Sequence, residues 1–196
     1  MITVRAKFKG VSPILMNPAT DDMLDELFGG AGARKAKDTD RTPDQEAAKK
    51  VIRDEGGAIG IPASYLFSCL VEAGRLVKLD GKRSISTKDT TLLPSFLAIE
   101  EIFFPFHDQE EKWKTDKRRG IIPGKGITVC IVRPRFDKWA FSATFTIDEK
   151  VCAEDKAKTL VERAGSSVGL GDFRPARRGP FGRFKVESWE STKNGG

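Results

Sequence analysis

The chain has 196 residues, 39% of them apolar and 32% charged, proportions that suit one globular domain and exclude a disordered tail. Thirty-four Lys and Arg against 28 Asp and Glu leave a net charge of +6, which points to an anionic partner only where it is concentrated. One histidine, His107, excludes a two-histidine zinc site and makes any Ser-His or Cys-His catalytic arrangement depend on that residue.

At the N-terminus Ile2, Val4, Ala6 and Phe8 alternate with Thr3, Arg5, Lys7 and Lys9, which predicts a half-buried strand with a basic outer face. Residues 10–18 break the pattern. A short acidic helix is expected over 21–28, and the Gly/Ala/Lys-rich stretch 29–42 is expected to be mobile. Thr42 and Pro43 supply an N-cap and a first-turn proline for a helix to about Arg53, ended by a turn at 55–57, and 58–61 can hold only a very short strand. Pro62 opens the longest helix, with Leu66, Leu70, Ala73 and Val77 on one face and Phe67, Cys69 and Leu76 broadening it.

Residues 92–106 are apolar and aromatic and predict one strand, entered through Pro94 and left through Pro105, followed by a polar excursion over 107–126. Strands at 127–132 and 139–147 are expected to form a hairpin joined by 133–138. A helix from about 153 to 168 and a strand over 184–189 complete the chain. The predicted fold is α+β: a ferredoxin-like or RNA-recognition-type antiparallel sheet with two helices on one face, in a single domain over 1–196 with mobile insertions at about 29–42 and 107–126. The other sheet face is then free, and in this class it often carries nucleic acid.

The cysteines, Cys69, Cys130 and Cys152, are odd in number, lack CxxC spacing and lie in apolar or helical surroundings, so free buried thiols in a reducing compartment are expected. No stretch approaches the roughly 18 uninterrupted apolar residues of a membrane span, and the first residues do not resemble a secretory leader. A soluble cytoplasmic protein without membrane partners is expected.

Two segments carry the charge. Residues 168–184 hold Gly169, Gly171, Gly179 and Gly182 among Arg174, Arg177, Arg178 and Arg183. Glycines let a backbone approach a phosphodiester chain, arginines supply forked donors for phosphate, and Phe173 and Phe181 offer stacking faces. The alternative is a tight helix-to-strand turn. From 112 to 138, nine cations (Lys112, Lys114, Lys117, Arg118, Arg119, Lys125, Arg133, Arg135 and Lys138) face only Asp116 and Asp137 in sequence, interleaved with Trp113, Phe136 and Trp139. That composition suits a sequence-tolerant single-strand groove, or else a solvated hairpin tip. Phe141 and Phe145 fit the core better than a stacking surface.

Catalytic candidates are fewer. Asp21, Asp22, Asp25 and Glu26, or Asp38 and Asp40, could gather a magnesium ion, but the first set also suits a helix start and the second lies among lysines. His107 could act as a general base, and Gly124-Lys-Gly126 lacks the spacing of a phosphate-binding loop. No catalytic residue, cofactor or metal is therefore expected.

The run Gly169-Leu-Gly171 followed by Arg177-Arg-Gly-Pro-Phe-Gly-Arg-Phe184 resembles the C-terminal glycine-rich loop of the RAMP superfamily, which includes the backbone subunits of CRISPR effector complexes. Ile61-Pro-Ala-Ser-Tyr-Leu66 is similar to that family's entry to its first helix. The chain also resembles small proteins common in tailed-phage genomes, which would place it in a host cytoplasm. The resemblance implies an RNA-recognition-type fold, binding of RNA or single-stranded DNA, and assembly of copies along the strand, possible partners being CRISPR effector components. The loop after the first strand lacks the RNA-cleaving pattern of the type III subunits. Together the residues expected to meet the strand are Gly169, Gly171, Phe173, Arg174, Arg177, Arg178, Gly179, Phe181, Gly182 and Arg183 in the loop, and Lys117, Arg118, Arg119, Arg133, Arg135 and Lys138 beside it. Two other functions fit the residues: a mimic or inhibitor of CRISPR effector assembly, and a metal-dependent nuclease.

Overall fold

In the computed structural model, which describes residues 1–19, 24, 28, 41–107, 113–121 and 126–193, the alternating N-terminal stretch forms β1 (Ile2–Gly10) with Ile2, Val4, Ala6 and Phe8 buried. A two-residue strand, β2 (Ile14–Leu15), follows. The expected acidic helix over 21–28, apart from Leu24 and Phe28, and the stretch 29–40 lie outside the described residues. Helix α1 (Pro43–Ala48) starts on a capping box, in which Thr42 Oγ1 accepts from the Gln45 amide and the Gln45 side chain accepts from the Thr42 amide. It is shorter than its sequence suggests. Beyond it the Ile52 carbonyl accepts from the Gly60 amide and Arg53 bridges Ile59, so the chain turns to pair with β3 (Gly60–Pro62).

Helix α2 (Ala63–Ala73) buries Leu66, Cys69, Leu70 and Ala73. It ends at Gly74, where a Cβ would lie 2.5 Å from Ser86 Oγ. The chain then leaves the helical path, so Val77 is buried while Leu76, expected on the buried face, is exposed. The single strand expected over 92–106 is two short ones in different sheets: β4 (Leu97–Ile99), after a 3-10 turn at Leu93–Ser95, and β5 (Phe103–Pro105), paired with β3. Glu100 and Glu101 separate them. The Glu100 amide still donates to the Thr144 carbonyl and Glu100 Oε1 accepts from the Thr146 hydroxyl, but the Thr144 amide is taken by Glu101 Oε2 in place of a backbone carbonyl, so the ladder ends here and the chain turns away.

The excursion expected over 107–126 contains a strand, β6 (Lys114–Ile121), which pairs with β7 (Thr128–Phe136). Residues 133–136 are thus strand and not connection, and the hairpin is β6–β7. Strand β8 (Ala140–Ile147) belongs to the other sheet. The redirection occurs at Trp139, whose indole N–H donates to the Ser12 carbonyl at 2.8 Å and packs against Gly10, where any Cβ would lie 2.3 Å from the ring. Helix α3 (Glu154–Arg163) continues into a wider turn at Ala164–Val168, and β9 (Phe184–Lys193) closes the chain.

The main sheet has the order β4-β8-β1-β9, antiparallel throughout, and the second sheet the order β2-β7-β6. Following the main sheet, the chain runs β1-α2-β4-β8-α3-β9, the split β-α-β arrangement of a ferredoxin-like fold. The two helices cover one face: Leu66 and Leu70 of α2 and Ala157, Leu160 and Val161 of α3 share one apolar cluster with Phe8, Phe141 and Phe145. Phe8 stacks on Phe141 at 4.8 Å and meets Phe145 and Phe184 edge-on, geometry favoured by the ring quadrupoles.

Cys69 and Cys152 are buried, but Cys130, on β7, is exposed, contrary to the expectation of three buried thiols. Burial pushes the Cys69 thiol up to about 12, and burial also raises that of Cys152. A protonated buried thiol contributes stability below its unfolded value and loses it as the pH rises towards the folded one. In the native protein near pH 8, a thiol reagent should therefore modify Cys130 promptly and Cys69 only on unfolding; modification of all three at one rate would contradict this packing.

Candidate nucleic-acid interface

The loop between α3 and β9 is fastened to the segment after β1. The Leu170 amide donates to the Gly182 carbonyl, the Gly182 amide to Pro13, and the Asp172 amide to Leu15, each at 2.8 Å. Close backbone approach requires the glycines: a Cβ at Gly182 would lie 1.7 Å from the Leu170 oxygen, and one at Gly179 would lie 1.7 Å from the Phe173 oxygen. Among the described residues, the non-glycine positions with positive φ are Phe173 and Arg178, at 49° and 60°, both in this loop. Such backbone costs on the order of 1–3 kcal/mol each and persists only where the surroundings impose it.

The β6–β7 register sets Asp116 opposite Arg133, Lys114 opposite Arg135 and Arg118 opposite Ile131, so these side chains share one hairpin face. That face meets the loop. The Arg118 guanidinium lies 4.6 Å from the centre of the Phe181 ring while its Nε and Nη2 fork onto Asp116, a hydrogen bond that raises its pKa. Arg133, 5% exposed, brings Nη1 to 3.1 Å from Asp172 Oδ2, although neither Nε nor Nη1 has hydrogen-bond geometry to a partner among the described residues. Lys114 and Arg135 share Asp137, whose carboxyl they hold below the usual range, Lys114 most strongly.

The basic excess of this region is therefore partly internal. Lys114, Arg118, Arg133 and Arg135 are paired with acids, and Lys112 and Lys125 lie outside the described residues. Lys117, Arg119 and Lys138 are exposed, with Lys117 and Arg119 on the hairpin face turned away from the loop. Within the loop, Arg174 is half-buried between the Gly171 carbonyl and Glu72, and Arg183 donates to the Ser166 carbonyl at 2.6 Å. Arg177 and Arg178 are exposed without an acidic partner among the described residues. The interleaved aromatics are spent on packing: Phe136 and Trp139 are core residues, Trp113 packs against the core, Phe181 is buried under Arg118, and Phe173 is half-buried beside it. Phe141 and Phe145 are fully buried, as expected.

Three groups escaped the sequence reading. A cleft of about 290 Å³ opens beside the loop, lined by Asn17, Tyr65 and Ser68 as well as by 169–172 and Arg174. Burial raises the Tyr65 phenol, against a lowering by Arg174. Tyr65 and Ser68 stand three apart on α2, hence on one face, and Tyr65 belongs to the Ile61–Leu66 run, the one local signal.

The free face of the main sheet is different in kind. Its register rows carry Thr3, Thr146 and Thr192, then Arg5, Thr144 and Glu190, then Lys7, Ser142 and Ser188, with no aromatic ring. Lys9 pairs with Glu187, and His107 Nε2 lies 3.2 Å from Ser142 Oγ. Asp21, Asp22, Asp25, Glu26, Asp38 and Asp40 lie outside the described residues, and no described helix is long and apolar enough to cross a membrane.

No protein-family model matches the chain, and the curated proteins give no match. Among solved structures it is similar to a chain of the Type III-B Cmr-beta bound to cognate target RNA, seen by cryo-EM, with a TM-score of 0.56 and 11% identity. The match covers 98% of this chain and 61% of that one, so this chain spans about three-fifths of its length. At that identity the likeness is one of fold, and it agrees with the ferredoxin-like order of the main sheet.

Proposed function

We propose that the protein is a non-catalytic binder of single-stranded nucleic acid, RNA in the first place, that holds the strand along the seam between the β6–β7 hairpin and the glycine/arginine loop. The observation that carries this reading is the union of two basic segments distant in sequence, through Arg118 over Phe181 and Arg133 against Asp172. The paired cations build the seam. The exposed ones, Arg177 and Arg178 foremost, remain to neutralise phosphates. The Cmr-beta chain of similar fold is seen with target RNA, which favours RNA as the first ligand to test.

A protein of 196 residues covers only a short run of nucleotides, so useful coverage calls for several copies side by side, and a head-to-tail contact that does not close yields an open array. Binding to a short RNA should weaken with salt at a log–log slope of about −0.7 per phosphate contact. With oligonucleotides of increasing length, light scattering should show particle mass rising by one protomer at a time. Salt-independent binding would remove the phosphate track, and one protomer on a long strand would remove the assembly.

A further inference from the structure

A groove of about 450 Å³ opens where the chain leaves α2 and lies alongside α3. Its floor is aliphatic. Leu76 is 59% exposed there, beside Val77 and Ala153, because α2 has already ended at Gly74 and the leucine is turned out of the core. Lys78, Lys156 and Arg163 stand around this floor, and none has an acidic partner among the described residues. The Lys78 ammonium donates to the Ser84 hydroxyl, and that of Lys156 to the Lys78 carbonyl. Asp155 is the one carboxylate among the lining residues.

An exposed aliphatic floor ringed by uncompensated cations fits an occupant that brings apolar side chains together with carboxylates. No aromatic ring lines the groove, so a base would find no face to stack on, which favours a polypeptide over a nucleic-acid strand. The chain carries such a segment itself. Over 21–28 the pairs Asp21-Asp22 and Asp25-Glu26 alternate with Met23-Leu24 and Leu27-Phe28, and no cation falls among them. Leu24 and Phe28 are helical, at the four-residue spacing that sets two side chains on one face of a helix. They are 49% and 98% exposed, so they do not fill the groove of their own chain.

We propose that this groove receives segment 21–28 of a second copy of the chain, its apolar side chains on Leu76 and its carboxylates against Lys78, Lys156 and Arg163. Segment and groove are different surfaces, so the contact is heterologous and copies add head to tail. It goes beyond strand binding: it supplies the contact between copies that the proposed array calls for, and it forms without nucleic acid.

Sedimentation velocity on the full chain, freed of nucleic acid, tests this over a range of protein concentrations. The protein should self-associate at low salt and clearly less at about 1 M salt, where charges are screened within a few ångströms. Lys78→Glu/Arg163→Glu, at two exposed positions, and Asp22→Lys/Asp25→Lys should each weaken self-association roughly tenfold or more. Mixed, the two variants should form one-to-one pairs, the intact segment of the first seated in the intact groove of the second, a rescue that misfolded chains would not give. A wild-type chain that stays monomeric at every concentration, or a loss that mixing does not restore, overturns the proposal and leaves strand binding standing. Variants that associate like the wild type also overturn it; if Lys78→Glu/Arg163→Glu then binds a short RNA more weakly, the groove belongs to the strand instead.

Discussion

Gly182→Ala should lower the melting temperature by several degrees and more than an alanine at any open glycine turn. Its φ of +72° costs an L-residue on the order of 1–3 kcal/mol, and the new Cβ would lie 1.7 Å from the Leu170 oxygen, a backbone atom that cannot swing aside. The loop must then give up the hydrogen bonds from Leu170 to Gly182 and from Gly182 to Pro13. A total near 3 kcal/mol corresponds to a fall of roughly 6–12 °C for a chain of this size. Gly81→Ala isolates the torsional part, since φ is +82° there but the space is open. Its smaller fall, measured by the same thermal melt, is the reference. Equal falls would mean that the loop can move off Leu170 freely, and the loop could not then be a fixed platform.

Arg177→Ala/Arg178→Ala should weaken strand binding by roughly tenfold or more at about 0.1 M salt and make the salt slope shallower by about 1.4, the yield of two lost phosphate contacts. Lys82→Ala/Lys88→Ala removes the same charge from exposed positions outside the loop and should change affinity little. Arg178 has a positive φ, so an accompanying Arg178→Gly should lose the same affinity without loss of stability. Fluorescence anisotropy with melts on each variant separates the effects. If both pairs weaken binding equally, net charge alone attracts the strand and the loop is only a turn.

The parts of the fold that could be read in the sequence are those whose two faces differ. Strand β1 alternates apolar and charged residues because one face packs under the helices and the other meets solvent. Strand β6 was hidden because both its faces are polar: Thr115 donates to Asp44 of α1 on one side, and Arg118 meets Phe181 on the other. A strand held by charged and aromatic contacts leaves no apolar period to detect. Residues 92–106 failed in the opposite way, since a continuous apolar run does not reveal where Glu100 and Glu101 hand the chain from one sheet to the other.

For the candidate interface, the loop was legible because its glycines and arginines are consecutive. The pairing of its neighbours was not. Arg133 finds Asp172 only once β7 and the loop lie together, so the cations between 112 and 138 read as free when four of them are paired with three carboxylates. The cleft needs three segments to converge, and only the spacing of Tyr65 and Ser68 on α2 could have hinted at it.

The seam and the free face of the main sheet are distinguished directly by ultraviolet crosslinking to a short single-stranded RNA, with the joined peptides located by mass spectrometry. If the strand follows the seam, crosslinks fall within 169–183 together with 113–121 or 128–138, and they are lost in Arg177→Ala/Arg178→Ala. Crosslinks confined to the rows of Thr3, Arg5, Lys7, Ser142 and Thr144 would contradict the account, and the strand would then run across the sheet.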